Sequence, residues 1–235
     1  MEATLFSSYK VQLTEESVPT WRGTPTNVQG HDQPTLEFFF NKMTVLAEPV
    51  VLDIGAHTGM FSLMPCFCPK AFFYSFEPAP DTFRMLNENL ALNHVQDRVL
   101  TYNTAFADYI GEGELKIPTN NRELGLSVLG TPLRFSEWKS VKVKVDTLDN
   151  FATTHNLPKA DFVKIDTEGC ELFVLRGGEQ YIRKHLPSIL AESHLPNTKQ
   201  FGYSNEDITK LLQSWGYAGE HIGSEDMFFT HPDRK

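Results

Sequence analysis

Residues 51–59 read Val51-Leu52-Asp53-Ile54-Gly55-Ala56-His57-Thr58-Gly59. This run indicates a short, largely apolar strand that ends at Gly55, as buried strands of parallel sheets do. Thr58 is placed to cap a following helix, and Gly55 lets the backbone approach a ligand closely. A helix N-terminus at such a turn offers N–H groups to an anion. A tight strand-to-helix turn that binds no ligand explains the same residues.

Strands and helices alternate on both sides of this turn. Apolar runs predict strands at 49–54, 71–76, 99–105, 162–165 and 188–191. Apolar residues at helical spacing predict helices at 34–47, 80–92 and 172–185. A helix at 208–215 and strands at 217–222 and 227–231 end the chain. This order predicts an α/β fold with a doubly wound, mostly parallel sheet and an antiparallel C-terminal strand pair.

Two regions lie outside this alternation. Residues 1–30 are polar and contain several Pro and Gly residues, which predicts a strand at 8–13 and loops ahead of a domain spanning 31–235. Residues 108–148 form an insertion between the third and fourth strands. Gly111 and Gly113 indicate a hairpin there, and the alternation of basic and apolar residues at 139–145 fits a half-exposed strand.

The composition excludes several classes of function. The 235 residues carry 30 acidic and 21 basic side chains, for a net charge of −9. Nucleic acids and anionic membrane surfaces are bound mainly through Lys and Arg clusters, so neither is expected as a partner. Three cysteines without a CxxC pair fit a reducing compartment. With no visible signal peptide and no apolar run long enough to span a bilayer, a cytoplasmic location is expected.

A carboxylate follows the second predicted strand. Glu77 can accept hydrogen bonds from both ribose hydroxyls of an adenosine ligand. A surface glutamate in a loop is the alternative, but the preceding glycine turn favours a binding role. The dinucleotide fingerprint requires glycine where His57 stands, so NAD is the weaker interpretation. The arrangement D-x-G-x-x-x-G is instead typical of enzymes that use S-adenosylmethionine.

A second charged motif surrounds the fourth strand, at 162–171. Lys164 and Asp166 lie on one face of an otherwise apolar strand, and a buried Lys must be paired. Glu192, at the end of the next strand, is a possible partner. The strand's tip carries three carboxylates, those of Asp166, Glu168 and Glu171. Ligands of such folds bind outside the carboxyl ends of the strands. We assign function to Asp166 and Glu168, and structural roles to Lys164 and Glu171.

At these motifs the chain resembles the FkbM family of methyltransferases. The matching segments are 51–59, 76–93 (FEPAPDTFRMLNENLALN), 145–151 (VDTLDNF), 161–177 (DFVKIDTEGCELFVLRG) and 189–193 (ILAES). The resemblance spans about residues 34–195, and KIDTEGCE is its most specific part. It implies a Rossmann-like class I methyltransferase fold, S-adenosylmethionine as cofactor, and O-methylation, most often of sugars or hydroxylated natural products. His57 departs from the Asn usual in the family.

The resemblance also implies roles for individual residues. Asp53, Gly55 and Gly59 would hold the methionine moiety of the cofactor, and Glu77 its ribose. Ala105 and Phe106 would flank the adenine, and Asp166 would lie beside the sulfonium. The complete set of expected cofactor contacts is Asp53, Gly55, Ala56, His57, Gly59, Glu77, Pro78, Ala105, Phe106 and Asp166. Residues 1–30 and 118–137 lie outside the matched segments, so we expect them to frame the acceptor pocket.

Proton removal from the acceptor needs a base within hydrogen-bond reach. His194 is the first candidate, because an imidazole titrates near neutrality. Glu168 is its rival, and a loop histidine bonded to backbone is the alternative for His194. A divalent metal bridging Asp166 and Glu168 is not predicted, because no third ligand is evident.

The expected acceptor is a sugar or glycan. An O-methyltransferase for a lipid or polyketide-like molecule and a non-catalytic cofactor-binding module are the alternatives. The acidic cluster and His194 argue against the module, because a protein that only binds the cofactor does not require them.

Overall fold

The computed structural model describes residues 1–5, 9–20, 33–120, 126–132, 134–192, 195–222 and 226–234. Its strands are β1 Glu2–Leu5, β2 Tyr9–Gln12, β3 Val50–Ile54, β4 Phe72–Phe76, β5 Val99–Tyr102, β6 Ala105–Phe106, β7 Gly111–Pro118, β8 Trp138–Asp146, β9 Phe162–Ile165, β10 Ser188–Glu192, β11 Ala218–Ile222 and β12 Asp226–Thr230. Its helices are α1 Gln33–Thr44, α2 Pro80–Leu92, α3 Leu148–Thr154, α4 Glu171–Gly177, α5 Glu179–His185, α6 Leu195–Gln200 and α7 Asn205–Ser214.

Among the described strands, seven form the main sheet, in the order β11-β12-β10-β9-β3-β4-β5. Strands β5, β4, β3, β9 and β10 run parallel to one another. Strand β12 is antiparallel to β10, and β11 is antiparallel to β12. The predicted fold class, a doubly wound, mostly parallel sheet with an antiparallel C-terminal pair, is confirmed. The strand order reverses between β3 and β9, which opens a crevice at their carboxyl ends.

Apolar side chains cover both faces of this sheet. Phe39 of α1 and Phe73 of β4 are fully buried in one cluster, which also contains Leu5 and Val11 of the N-terminal hairpin. A second cluster contains Phe76, whose ring centroid lies 5.1 Å from that of Phe151 on α3. Burying a Phe or Leu side chain contributes about 1.5–3 kcal/mol, so these clusters anchor the sheet.

The division of the chain into an N-terminal extension, 1–30, and a domain, 31–235, stays a prediction.

The expected helix after the glycine turn is wrong. Residues 56–63 form hydrogen-bonded turns, and a single 3₁₀ turn follows at Met64–Cys66. Pro65 and Pro69 explain the difference, because proline lacks the N–H that an α-helix interior requires.

Two other predicted elements are each divided. The predicted strand 99–105 ends at Tyr102, and β6 then leaves the main sheet to pair with β8. Strands β6, β8 and β7 form a small sheet, in which β7 and β8 are antiparallel. Gly111 and Gly113, which were expected to indicate a hairpin, lie within β7 and pair with β8. The predicted helix 172–185 is broken between Gly177 and Gly178, where a Cβ on Gly177 would lie 2.1 Å from the carbonyl oxygen of Ala107.

No helix among the described residues has both the length and the apolar character needed to cross a membrane.

Candidate active site

The glycine turn after β3 joins the tips of three strands. The N–H groups of Gly55 and Ala56 both donate to the carbonyl oxygen of Phe76 at the end of β4, at 3.0 and 2.9 Å. Gly55 has φ +81°, and a Cβ there would lie 1.7 Å from the carbonyl oxygen of Asp166 after β9. Residue 55 must therefore be glycine, because any side chain would separate β3 from β9.

Glu77, at the tip of β4, is held by this turn. The N–H of His57 donates to its Oε2 at 2.9 Å, and the N–H of Ala79 donates to its Oε1 at 2.8 Å. Burial raises the pKa of Glu77 to about 7, although the two N–H groups favour its charged form. Each carboxylate oxygen keeps acceptor capacity for a ligand hydroxyl. N–H groups at this turn were expected to face an anionic ligand, but the N–H of His57 is directed to Glu77.

Lys164 links the turn to two carboxylates. Its Nζ lies 2.7 Å from the carbonyl oxygen of Gly55, and 3.4 Å from both Asp53 Oδ1 and Asp166 Oδ2. Burial opposes the charge on Lys164, but Asp166 and Asp53 hold its pKa above the ordinary value. Asp53 has no exposed surface, and its Oδ2 accepts a 2.6 Å hydrogen bond from Ser62. The three charges therefore stabilise one another beneath the turn.

The expected pairing of Lys164 with Glu192 is wrong, and the sheet register gives the reason. Lys164 lies opposite Asp53 on one side and Leu190 on the other. Glu192 lies two residues beyond Leu190, and so level with Asp166 rather than with Lys164. Its position places Glu192 in the cavity instead.

Three carboxylates meet at the tips of β9 and β10. Asp166, Glu168 and Glu192 offer oxygens that lie within 4.8 Å of one another. Glu168 Oε2 accepts hydrogen bonds from Arg134 Nη1, at 3.0 Å, and from Asn197 Nδ2. Burial and the neighbouring carboxylates raise the pKa values of Glu168 and Glu192 above their usual range. Glu192, which the sequence analysis considered only as a partner of Lys164, is the third carboxylate of this set, and the set has the donors that a divalent cation takes.

Glu171 holds the loop that carries Glu168. Its Oε1 accepts hydrogen bonds from the N–H groups of Thr167 and Gly169, at 2.8 and 3.1 Å, and Tyr203 donates to its Oε2. Glu168 itself has φ +55°, which is uncommon for a residue with a side chain. This arrangement fits the structural role expected for Glu171, because it fixes a loop that would otherwise relax.

One cavity brings most of the expected residues together at the carboxyl ends of the strands. Of the expected contacts, it is lined by Gly55, Ala56, His57, Glu77, Pro78, Ala105, Phe106, Asp166 and Glu168. Asp53 and Gly59 are absent from its lining: Asp53 lies beneath the turn, and the N–H of Gly59 donates to the carbonyl oxygen of Ala56. His194 lies outside the described residues.

The cavity also contains residues that sequence reasoning missed. Thr20 and Thr35 approach from the N-terminal part of the chain, and Arg134 from the insertion. Asp226 of β12 lines it as well, and accepts a 2.6 Å hydrogen bond from Thr35 Oγ1. Thr20 and Arg134 lie in the segments 1–30 and 118–137 that were expected to frame the acceptor pocket, whereas Thr35 and Asp226 carried no signal. The place of all four in the cavity depends on long-range packing.

We expect Lys164→Met to destabilise the protein by about 3–5 kcal/mol, because it leaves buried Asp53 without a counter-charge. Denaturant unfolding near neutral pH measures the change. Lys142→Met is the matched control: Lys142 also stands on a strand, 3.5 Å from Glu112, but the two side chains are 83% and 72% exposed. That pair should contribute less than about 1 kcal/mol. Equal stability of the two variants would contradict the role given to Lys164.

Comparison with known proteins gives a consistent result. The family model described as "Methyltransferase FkbM domain" matches residues 53–218. The hexuronic acid methyltransferase AglP of Haloferax volcanii is 28% identical over 166 residues, which are 70% of this chain and 62% of the relative. The 2-O-methyltransferase NoeI of Sinorhizobium fredii is 27% identical over 58% of this chain and 60% of its own. The matched part therefore spans less than two thirds of either relative.

A solved structure supports the fold. The magnesium protoporphyrin IX methyltransferase of Synechocystis, with bound S-adenosylmethionine, superimposes with a TM-score of 0.50 at 11% identity. The match covers 86% of this chain and 80% of that one. At this identity the similarity concerns the fold alone.

Proposed function

Because the chain belongs to the FkbM methyltransferase family, we propose that it transfers a methyl group from S-adenosylmethionine to a hydroxyl of a sugar or glycan. The observation that carries the proposal is a single cavity lined both by Glu77 and the Gly55 turn and by the carboxylates of Asp166, Glu168 and Glu192. The first group offers contacts for an adenosine ligand, and the carboxylates offer oxygens for a polyhydroxylated acceptor. The names of two relatives, a hexuronic acid methyltransferase and a 2-O-methyltransferase, support a sugar acceptor.

The residues of the first group fit the proposed cofactor. Glu77 is oriented by two N–H groups and can still accept hydrogen bonds from ribose hydroxyls. Gly55 gives the backbone close access for the methionine end, while Ala105, Phe106 and Pro78 offer apolar surface for the adenine. Bound S-adenosylmethionine would supply an electrophilic methyl group, and Asp166 would lie beside it. Holding an acceptor hydroxyl in line with that methyl can lower the barrier by several kcal/mol.

Glu168 is the candidate base that the described geometry supports. Arg134 and Asn197 both donate to Oε2, and within the described residues no hydrogen bond reaches Oε1. Oε1 can therefore accept the proton of an acceptor hydroxyl in the cavity. Burial and the negative charge of Asp166 raise the pKa of Glu168, which brings its basicity closer to that useful near neutral pH. His194, the first candidate from the sequence, lies outside the described residues and is the alternative base.

A methyl-donor assay against a panel of sugars and glycans tests the function. We expect the mass of at least one hydroxylated saccharide to increase by one methyl group, with S-adenosylhomocysteine as the second product. A parallel panel of lipids and polyketide-like alcohols covers the alternative acceptors. Methylation confined to that second panel would overturn the assignment of a sugar acceptor, but the protein would still be a methyltransferase.

Cofactor binding is tested by calorimetric titration. We expect S-adenosylhomocysteine to bind and NAD not to bind, and the reverse result would end the proposal. Glu77→Ala should weaken binding by roughly 1–3 kcal/mol, because ribose hydroxyls lose a charged acceptor. Glu114→Ala, which removes an exposed carboxylate from strand β7, is the control.

The affinity for S-adenosylhomocysteine should also depend on pH. Since the pKa of Glu77 is about 7, affinity should fall as the pH drops through that value and the carboxyl becomes protonated. Glu77→Gln should abolish this pH dependence.

The base is identified by comparing two variants. Glu168→Gln should lower turnover by about 10²–10⁴-fold while cofactor affinity changes little. If His194→Ala causes that loss and Glu168→Gln does not, the histidine is the base. If neither substitution lowers turnover, alignment of the acceptor hydroxyl beside Asp166 accounts for the rate, and its proton passes to water. Both variants are measured with the same acceptor and at the same pH.

A further inference from the structure

Asn89 of α2 is a fully buried polar side chain that does not line the cavity. Its Oδ1 accepts a 2.9 Å hydrogen bond from the N–H of Thr14. Its Nδ2 donates to Ser17 Oγ at 2.9 Å and to the carbonyl oxygen of Thr58 at 2.8 Å. The amide group therefore binds the N-terminal segment and the glycine turn at the same time.

A second connection runs through the N-terminal segment itself. Thr20 Oγ1 donates to the carbonyl oxygen of Ser17 at 2.7 Å, and lies 3.2 Å from Thr58 Oγ1. Thr20 also lines the cavity. Thr58 is thus held twice, at its carbonyl by Asn89 and at its hydroxyl by a segment that Asn89 anchors.

The turn needs such external support. Gly55, His57 and Gly59 have φ values of +81°, +51° and +104°. Of these three residues only His57 carries a side chain, and a non-glycine residue persists in this strained region only where its surroundings fix it. No α-helix follows the turn to provide that restraint, because residues 56–63 form only turns.

We propose that Asn89 is a positioning residue, which fixes the 55–59 turn for cofactor binding by tying it to residues 14–20. This role rests on the proposed function only in naming the cofactor as the ligand of the turn. The restraint of the turn is a property of the protein alone, and it can be measured without any ligand.

Asn93, the residue after the last turn of α2, provides the control. Its Oδ1 accepts from the N–H of Gln12 at 2.8 Å, and its Nδ2 donates to the carbonyl oxygens of Gln12 and Asn89, both at 2.7 Å. It therefore anchors strand β2 to the end of α2, and within the described residues it makes no hydrogen bond to the 55–59 turn. Asn93→Ala loosens β2 alone, whereas Asn89→Ala releases both residues 14–20 and the turn.

Amide hydrogen exchange on the ligand-free protein tests the proposal. We expect Asn89→Ala to speed exchange at 55–63 by at least about fivefold, and Asn93→Ala to leave that segment unchanged. Asn93→Ala should speed exchange in β2, and Asn89→Ala should speed exchange at residues 14–20. Equal exchange at 55–63 in the two variants would overturn the proposal. If Asn89→Ala does not fold, Ser17→Ala decides: faster exchange at 55–63 supports the role, and unchanged exchange overturns it.

Ligand binding gives the functional readout. Asn89→Ala should weaken S-adenosylhomocysteine binding by at least about fivefold, with a smaller change in the KM for the acceptor, and Asn93→Ala should not weaken it. If the unmodified protein binds no S-adenosylhomocysteine, the proposed function fails, while the exchange experiment still decides whether Asn89 fixes the turn.

Discussion

The position of Lys164 between Asp53, Asp166 and the carbonyl of Gly55 is the constraint on which the site depends. Burying an ammonium group is costly unless opposite charges and hydrogen-bond acceptors lie next to it. Its three partners come from the end of β3 and the loop after β9, the two strands that flank the crevice. The charge therefore fixes the relative positions of these strand tips, and the direction in which the glycine turn leaves the sheet. Glu77 is held in turn by the N–H of His57, so the same constraint extends to β4.

The fold could be predicted largely because local patterns determine it. Alternating apolar strands and helices indicate a parallel sheet whatever the exact partners are, and the sheet order agrees with that expectation. Errors arose where one residue overrides a pattern. The helix expected after Thr58 is prevented by Pro65 and Pro69, and the helix at 172–185 breaks where Gly177 packs against Ala107.

The site was predicted less completely, for reasons of geometry. Residues of the strand tips could be found because their position in sequence places them at one edge of the sheet. The partner of Lys164 could not be found, because it depends on the register of the neighbouring strands. Asp53 of β3 lies directly opposite Lys164, whereas Glu192 lies two residues beyond the position of β10 that faces it. Thr20, Thr35 and Arg134 come from segments far apart in the chain, and no periodic signal links them to the cavity.

Arg134 belongs to the insertion and yet donates to the carboxylate of Glu168, beside the expected reaction centre. In most scaffolds a variable loop selects a ligand while the chemistry belongs to the constant core. Here the counter-ion of a core carboxylate is supplied by the insertion. Exchanging this insertion between homologous proteins would therefore transfer a local electrostatic environment along with a binding surface. Changes in acceptor preference and changes in reactivity would be inherited together, so divergence in this region alters both at once.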